Sequence, residues 1–164
     1  MLEPLLQLLL FILPAYMANS TPVIFGGGTP MDFGGKAWDG KRCLGDGKTW
    51  RGFAAGMAFG TLTGICESSL FGNPSYTYLG FLLAFGALTG DTFGSFFKRR
   101  LGMDRGHPTF LVDQLPFFAV ALAIASPIYL PSWEGIMVLA VATYFLHAGT
   151  NLAANRLGLK KVPW

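Results

Sequence analysis

Charge is scarce in this chain: 13% of residues are Asp, Glu, Lys or Arg, against 52% hydrophobic, and the mean hydropathy is +0.46. A soluble domain carries about a quarter charged residues, so the balance points to a bilayer as solvent. Cysteine is nearly absent. Cys43 falls in a basic loop and Cys66 near the far end of an apolar stretch. The two are expected on opposite sides of a membrane, which excludes a disulfide framework. No Lys or Arg precedes Lys36, so the first apolar stretch lacks the basic start of a secretory signal. Glu3 is the only charge before it, no clean small-residue cleavage site follows it, and it reads as a membrane helix. No domain-sized repeat is present.

What charge there is lies unevenly. Five apolar stretches, about 2–18, 52–70, 78–97, 115–130 and 135–155, alternate with two kinds of connection. The segments 70–77 and 129–133 carry no Lys or Arg, whereas 19–51, 98–114 and the tail hold all twelve. Basic loops stay cytoplasmic during insertion. The expected fold is therefore an all-α integral membrane domain spanning 1–164. It has five transmembrane helices, the N-terminus outside, the C-terminus inside and two long basic cytoplasmic loops at 19–51 and 98–114. The excess positive charge needs no nucleic acid to explain it; orientation, anionic lipid and a polyanionic substrate suffice.

Glycine punctuates both loops and helices. The segment 19–51 is irregular by its Gly and Pro content, yet its Val-Ile-Phe, Met-Asp-Phe and Trp residues argue for packing rather than disorder. Gly52, Gly56, Gly60 and Gly64 share one face of the second span, and Gly86, Gly90 and Gly94 one face of the third. Such ladders let helix backbones approach closely. Gly90 and Gly94 also admit the alternative of making room for a ligand beside Asp91.

Asp91 is the residue to explain, because a carboxylate inside an apolar span is costly without a cation, a partner or a wet cavity. It shares a face with Ser95 and Lys98, so a buried Asp–Lys pair is one reading. A metal or substrate site is the other, since Asp113 supplies a second acid where the fourth span begins. Mg²⁺ takes one or two carboxylates plus phosphate oxygens and water. His147, Asn151 and Asn155 form a stripe on the fifth span, either for helix–helix hydrogen bonds or for a polar cavity that Asn19 would join. Glu67, near the outer end of the second span and away from the basic side, reads as an interfacial or interhelical group rather than a catalytic one.

The run LGDGKTWRG ends like a P-loop but is not one: the position where the first glycine belongs is Arg42. Its chemistry is still suited to phosphate. Gly45, Asp46 and Gly47 form a turn able to offer backbone N–H groups, Lys48 is a point charge, and Arg51 a fork. KRRLGMDRGHP adds Lys98, Arg99, Arg100 and Arg105. The composite fits an enzyme joining a water-soluble nucleotide to a lipid phosphate.

The blocks PAYMANSTPVIFGGGTPMDFG, LGDGKTWRG, GDTFGSFFKRRLGMDRGHP, VDQLPF and LGLKKVPW together resemble the CDP-archaeol synthases. These archaeal CTP:lipid-phosphate cytidylyltransferases are related to the CDP-diacylglycerol synthases. The resemblance implies Mg²⁺-dependent transfer of CMP from CTP to unsaturated archaetidic acid, an isoprenoid ether-lipid phosphate, at the cytoplasmic face of the cell membrane. By motif it implies Asp91 and Asp113 as metal ligands, with Lys98, Arg99 and Arg105 near the triphosphate or the lipid phosphate. It implies Gly45–Arg51 as the CTP cradle, with Lys48 and Thr49 in direct contact. By their placement at the same end of the first and third spans, Asn19 and Ser95 are also expected to border the nucleotide. One departure stands out. The wider signature has a lysine after the Lys-Arg pair, where this chain offers Arg100 and Arg105.

Rival functions are less well served. A CDP-alcohol phosphotransferase would need a motif that is absent. A small anion transporter would show repeats and a midplane site, and a lipid-binding scaffold would not need Asp91. The oligomeric state stays open, because the glycine ladders suit either intramolecular packing or a dimer.

Overall fold

The structure is a computed structural model that describes residues 5–103 and 115–159. Five helices and no strands occur among them: α1 (Leu5–Phe25), α2 (Trp50–Phe71), α3 (Ser75–Arg100), α4 (Leu115–Ala125) and α5 (Trp133–Arg156). Three are long and apolar enough to cross a membrane: α1, α3 and α5. The α2 helix has 22 residues, but glycine, threonine and serine dilute its hydropathy. The chain is an all-helical integral membrane protein.

Two boundaries differ from the sequence expectation. The first helix does not stop at Ala18 but runs to Phe25, through Pro14 and Pro22. Proline at 22 removes the N–H that Ala18 O would otherwise accept. That carbonyl faces Gly56 instead, where a Cβ would lie only 2.7 Å away. Thr21 Oγ1 donates to Met17 O at 2.6 Å, engaging a carbonyl of the same turn. The fourth helix ends at Ala125, not at residue 130. Pro127 has no N–H to continue it and biases Ser126 away from helical geometry. The eleven described residues of α4 reach about 16 Å.

The glycine ladders locate the packing. Helices α1, α2 and α3 contact one another, and α4 lies against α3. A Cβ at Gly60 would sit 2.5 Å from the Ala84 Cβ and 2.8 Å from Pro14 O, and one at Gly64 would sit 2.8 Å from the Gly80 Cα. On the other face of α3, a Cβ at Gly86 would meet the Ala121 Cα at 2.6 Å, and one at Gly90 would meet Pro116 O at 2.2 Å. Lipid tails are as apolar as leucine, so this close van der Waals contact is what holds membrane helices together. The Gly90 notch is filled by the α4 backbone rather than left open for a ligand.

Ile12, Leu83, Phe117 and Leu139 are fully buried where α1, α3, α4 and α5 meet. The α5 helix is the least enclosed, with 11% of its most apolar window buried against 50% for α3. It is tied in by Leu139, by a 2.7 Å hydrogen bond between Tyr16 Oη and Thr143 Oγ1, and by His147 stacked on Phe117. Its His147 therefore lies at the level of Phe117, near the start of the described part of α4. As a result Arg156 lies toward the same end of the bundle as the loop 26–49 and the last turn of α3. Every described Lys and Arg lies toward that end.

Candidate active site at the basic end of the bundle

The loop 26–49 is built, not random. Two isolated bridges, Pro30 with Thr49 and Lys36 with Arg42, fold it back on itself. Met31 N donates to Lys48 O at 2.7 Å and Trp50 N to Thr29 O at 3.2 Å, so the loop's two ends run side by side. Gly45, at φ +92°, provides a backbone conformation that a side chain would strain. Its carbonyl accepts from Lys48 N at 3.3 Å and closes the Gly45–Lys48 turn.

At the centre of the loop is Asp32, a residue that sequence reasoning passed over. Its side chain is 3% exposed and its carboxylate accepts five hydrogen bonds. Arg42 gives two, from Nη2 at 2.9 Å and Nε at 3.3 Å. The backbone N–H groups of Leu44, Gly45 and Gly34 give the others, at 2.9, 3.1 and 3.2 Å. Burial alone would raise the Asp32 pKa. The Arg42 guanidinium and the three N–H donors outweigh it and hold the carboxyl far below its ordinary 3.8. The Asp-Phe-Gly run does signal a local turn, since Asp often bonds the N–H two residues on. The contacts to 42–45 have no sequence signature.

A second anchor ties the loop to α3. Arg100 Nη1 donates to Asp39 Oδ1 at 2.6 Å, and Nη2 donates to the carbonyls of Lys41, at 3.2 Å, and Arg42. The guanidinium lies 4.9 Å from the Phe96 ring centre and 5.5 Å from that of Trp38. Lys41 Nζ returns a bond to Arg100 O at 3.1 Å. Arg100 thus holds the loop onto the helix that carries Asp91.

The result is a meeting of two expected site residues from distant parts of the chain. Lys48 Nζ forms an ion pair with Asp91 Oδ2. Both side chains stay partly open to solvent, at 24% and 29%. The cation described against Asp91 is therefore Lys48 from the first loop rather than Lys98 from its own helix. Asp91 lies about one turn beyond Leu88, where α3 meets Gly56, and Gly56 in turn meets Ala18. Half-buried Asn19 follows Ala18 on α1.

The other expected residues are placed as follows. Thr49 is buried and caps α2, its Oγ1 accepting from Gly52 N at 3.1 Å. Ser95 Oγ donates to Asp91 O at 3.0 Å, along its own helix. Asp46 is exposed and pairs with Arg42 at 2.8 Å, while Gly47 and Arg51 are exposed beside it. Lys98 and Arg99 are half-buried in the last turn of α3, where positive charge complements the helix dipole. The Arg99 Nε is buried with no hydrogen-bond partner among the described residues. Asn151 and His147 bond each other at 3.1 Å on α5. Asp113 and Arg105 lie outside the described residues. A shallow groove along α5, lined by Gly149, Leu152, Ala153, Arg156 and Leu157, contains none of the expected site residues.

Comparison with known proteins shows the family of the chain. The family described as CarS-like, CDP-archaeol synthase, matches residues 1–164. The chain belongs to that family. It is similar to the CDP-archaeol synthase of Pyrococcus horikoshii, 48% identical over 99% of both chains, and to that of Archaeoglobus fulgidus, 49% identical over the whole of both. A solved structure, presented as insight into an intramembrane enzyme for archaeal membrane lipids biosynthesis, superposes with a TM-score of 0.86. It is 41% identical and covers 92% of this chain and 96% of that one. As a CDP-archaeol synthase family member, the chain is an enzyme, a CTP-dependent cytidylyltransferase of membrane lipid biosynthesis.

A CDP-archaeol synthase handles anionic substrates, and the donor set at Asp91 suits a hard divalent cation. Among the described residues no three His, Cys, Asp or Glu side chains gather, so a closed protein cage is not what they form. Mg²⁺ instead takes one or two carboxylates and lets substrate phosphates and water complete its shell, and Asp91, partly open to solvent, is a carboxylate of that kind. The residues present fit that ion.

Proposed function

We propose that the chain transfers CMP from CTP to unsaturated archaetidic acid, 2,3-bis-O-geranylgeranylglycerol 1-phosphate, giving CDP-archaeol and pyrophosphate. The observation that carries this reading is the convergence of Lys48 and Asp91 at the basic end of the bundle. The domain spans 1–164, with five membrane segments, the N-terminus outside and the site open to the cytoplasm. The clustering of described Lys and Arg at one end supports that orientation.

The chemistry asks little of a general base. A phosphate monoester is already ionised at neutral pH. Its oxygen attacks the α-phosphorus of CTP, the bond from that phosphorus to the bridging oxygen breaks, and pyrophosphate leaves with the electron pair. Rate enhancement then comes from alignment and charge neutralisation. Lys48 exchanges its carboxylate partner for a triphosphate oxygen. The free Arg99 Nε, with Lys98 and Arg105, adds positive charge near the phosphates. The Gly45–Gly47 turn gives backbone donors, and Asn19, Ser95, Thr49 and Arg51 border the nucleotide. Asp91 and Asp113 would hold Mg²⁺, which supplies charge to offset the developing pyrophosphate. The glycerol phosphate end of the lipid reaches this level while its isoprenoid chains remain in the bilayer.

The test is substitution with folding controlled. Asp91→Asn and Asp113→Asn should each abolish CMP transfer while membrane insertion and thermal unfolding stay near wild type. Retention of most activity by either variant would remove that residue from the metal site.

A further inference from the structure

We infer that Asp32 is a positioning residue for nucleotide binding, acting through Lys48. This rests on the reading that Lys48 contacts the triphosphate. The structure shows how the influence would travel. Asp32 Oδ2 accepts from Gly45 N at 3.1 Å and from Leu44 N at 2.9 Å, which fixes the entrance of the Gly45–Lys48 turn. The neighbouring residue, Met31, donates to Lys48 O at 2.7 Å and fixes its exit. The turn at 31–34 that carries Asp32 thus grips both ends of the turn that presents Lys48.

The grip is specific to a carboxylate. Oδ2 serves Leu44 N, Gly45 N and Arg42 Nε, while Oδ1 takes Arg42 Nη2 and Gly34 N. An amide has one acceptor oxygen in place of two, so Asp32→Asn must abandon either the two turn N–H groups or the Gly34 and Nη2 pair. It also loses the charge that retains Arg42. Arg42 itself spans Asp32 and Asp46, at 2.9 and 2.8 Å, so the node closes a ring around the turn. Asp32 is 3% exposed, so its effect on a nucleotide is indirect: it sets the backbone from which Lys48 reaches out.

The experiment is a double-mutant cycle on CTP binding by the full chain in detergent, without lipid phosphate so that no turnover occurs. Lys48→Ala removes one charge-assisted contact and should weaken CTP by about 10- to 100-fold. Asp32→Asn should weaken it by a comparable or smaller factor. The double variant should bind no more weakly than Lys48→Ala alone, because the turn then has no lysine to aim. Hydrogen exchange should rise in 44–48 of Asp32→Asn while the α2 and α3 cores stay protected. If Asp32→Asn does not fold, Arg42→Gln replaces it in the same cycle, with the same non-additivity expected. Additive losses would overturn the inference and leave the proposed reaction intact. Unchanged CTP binding by Lys48→Ala would overturn both.

Discussion

Gly90→Ala is the substitution that probes the α3–α4 contact most sharply. The added methyl would meet Pro116 O at 2.2 Å, Phe117 Cα at 2.7 Å and Pro116 C at 2.7 Å. All three are backbone atoms, so no side chain can swing aside. Restoring ordinary contact, at 3.4 Å or more, requires α4 to withdraw from α3 by more than 1 Å. Overpacking of this kind costs about 1–3 kcal/mol. The functional consequence should be larger. Gly90 adjoins Asp91 in sequence, and Asp91 pairs with Lys48. Displacing α3 from its α4 contact by an ångström moves Asp91 against Lys48, and misplacement on that scale costs about 10²-fold in rate. Gly149→Ala is the matched control, because nothing lies within 4 Å of its added methyl. That change should leave activity alone and stabilise α5 by up to about 1 kcal/mol through helix propensity. Thermal unfolding and CMP transfer of both variants, in the same detergent, decide the matter. Wild-type stability and wild-type turnover in Gly90→Ala would refute the packing argument.

Three further outcomes follow from the same geometry. Thr49→Ala removes the buried N-cap of α2 and should cost about 1 kcal/mol in unfolding, with Thr49→Ser recovering most of it. Arg100→Gln loses the ion pair to Asp39 and the stacking on Phe96 and Trp38, so hydrogen exchange in 37–42 should rise well above wild type; Arg100→Lys should recover little, since a point charge cannot replace the fork. The Asp32 carboxyl has a folded pKa below its ordinary 3.8, so its contribution to stability is complete above about pH 5 and declines as pH falls below 3.8. The stability difference between wild type and Asp32→Asn should therefore be constant from pH 8 to pH 5 and shrink at pH 3. A difference that fades between pH 8 and pH 5 would contradict the Asp32 geometry.

Much of the fold was legible because a bilayer leaves few solutions. Hydropathy located the helices, and loop charge located the basic end. The glycine ladders were legible too, because a four-residue repeat can only line one helix face. Two boundaries were not. The sequence bounds the first span at about residue 18 and reads 19–51 as loop, yet α1 continues through Pro22 to Phe25, and the carbonyl that proline frees lies in the Gly56 notch, a tertiary fact. Leu130 read as the end of a span, but the proline at 127 ends α4 before it.

The site divides along the same line. Asp91 and Lys48 stood out singly, one as an acid in an apolar span and one in a glycine turn. That they touch each other is a contact across 43 positions, which no spacing rule encodes. Asp32 was passed over, and the loop-tying role of Arg100 went unseen, for a related reason. Their roles are to tie loop backbone in place, and the partners are N–H and carbonyl groups that every residue carries. Arg100 read as a cation for phosphate, yet its guanidinium is occupied with Asp39 and two carbonyls.

Pyrophosphate release by the purified chain tests the central claim most directly. It would be measured with CTP and Mg²⁺, with and without geranylgeranylated archaetidic acid, beside ATP and a diacyl phosphatidic acid. The account predicts release that requires CTP, Mg²⁺ and the ether lipid together. No release with any pair, from protein shown to be folded, would contradict it.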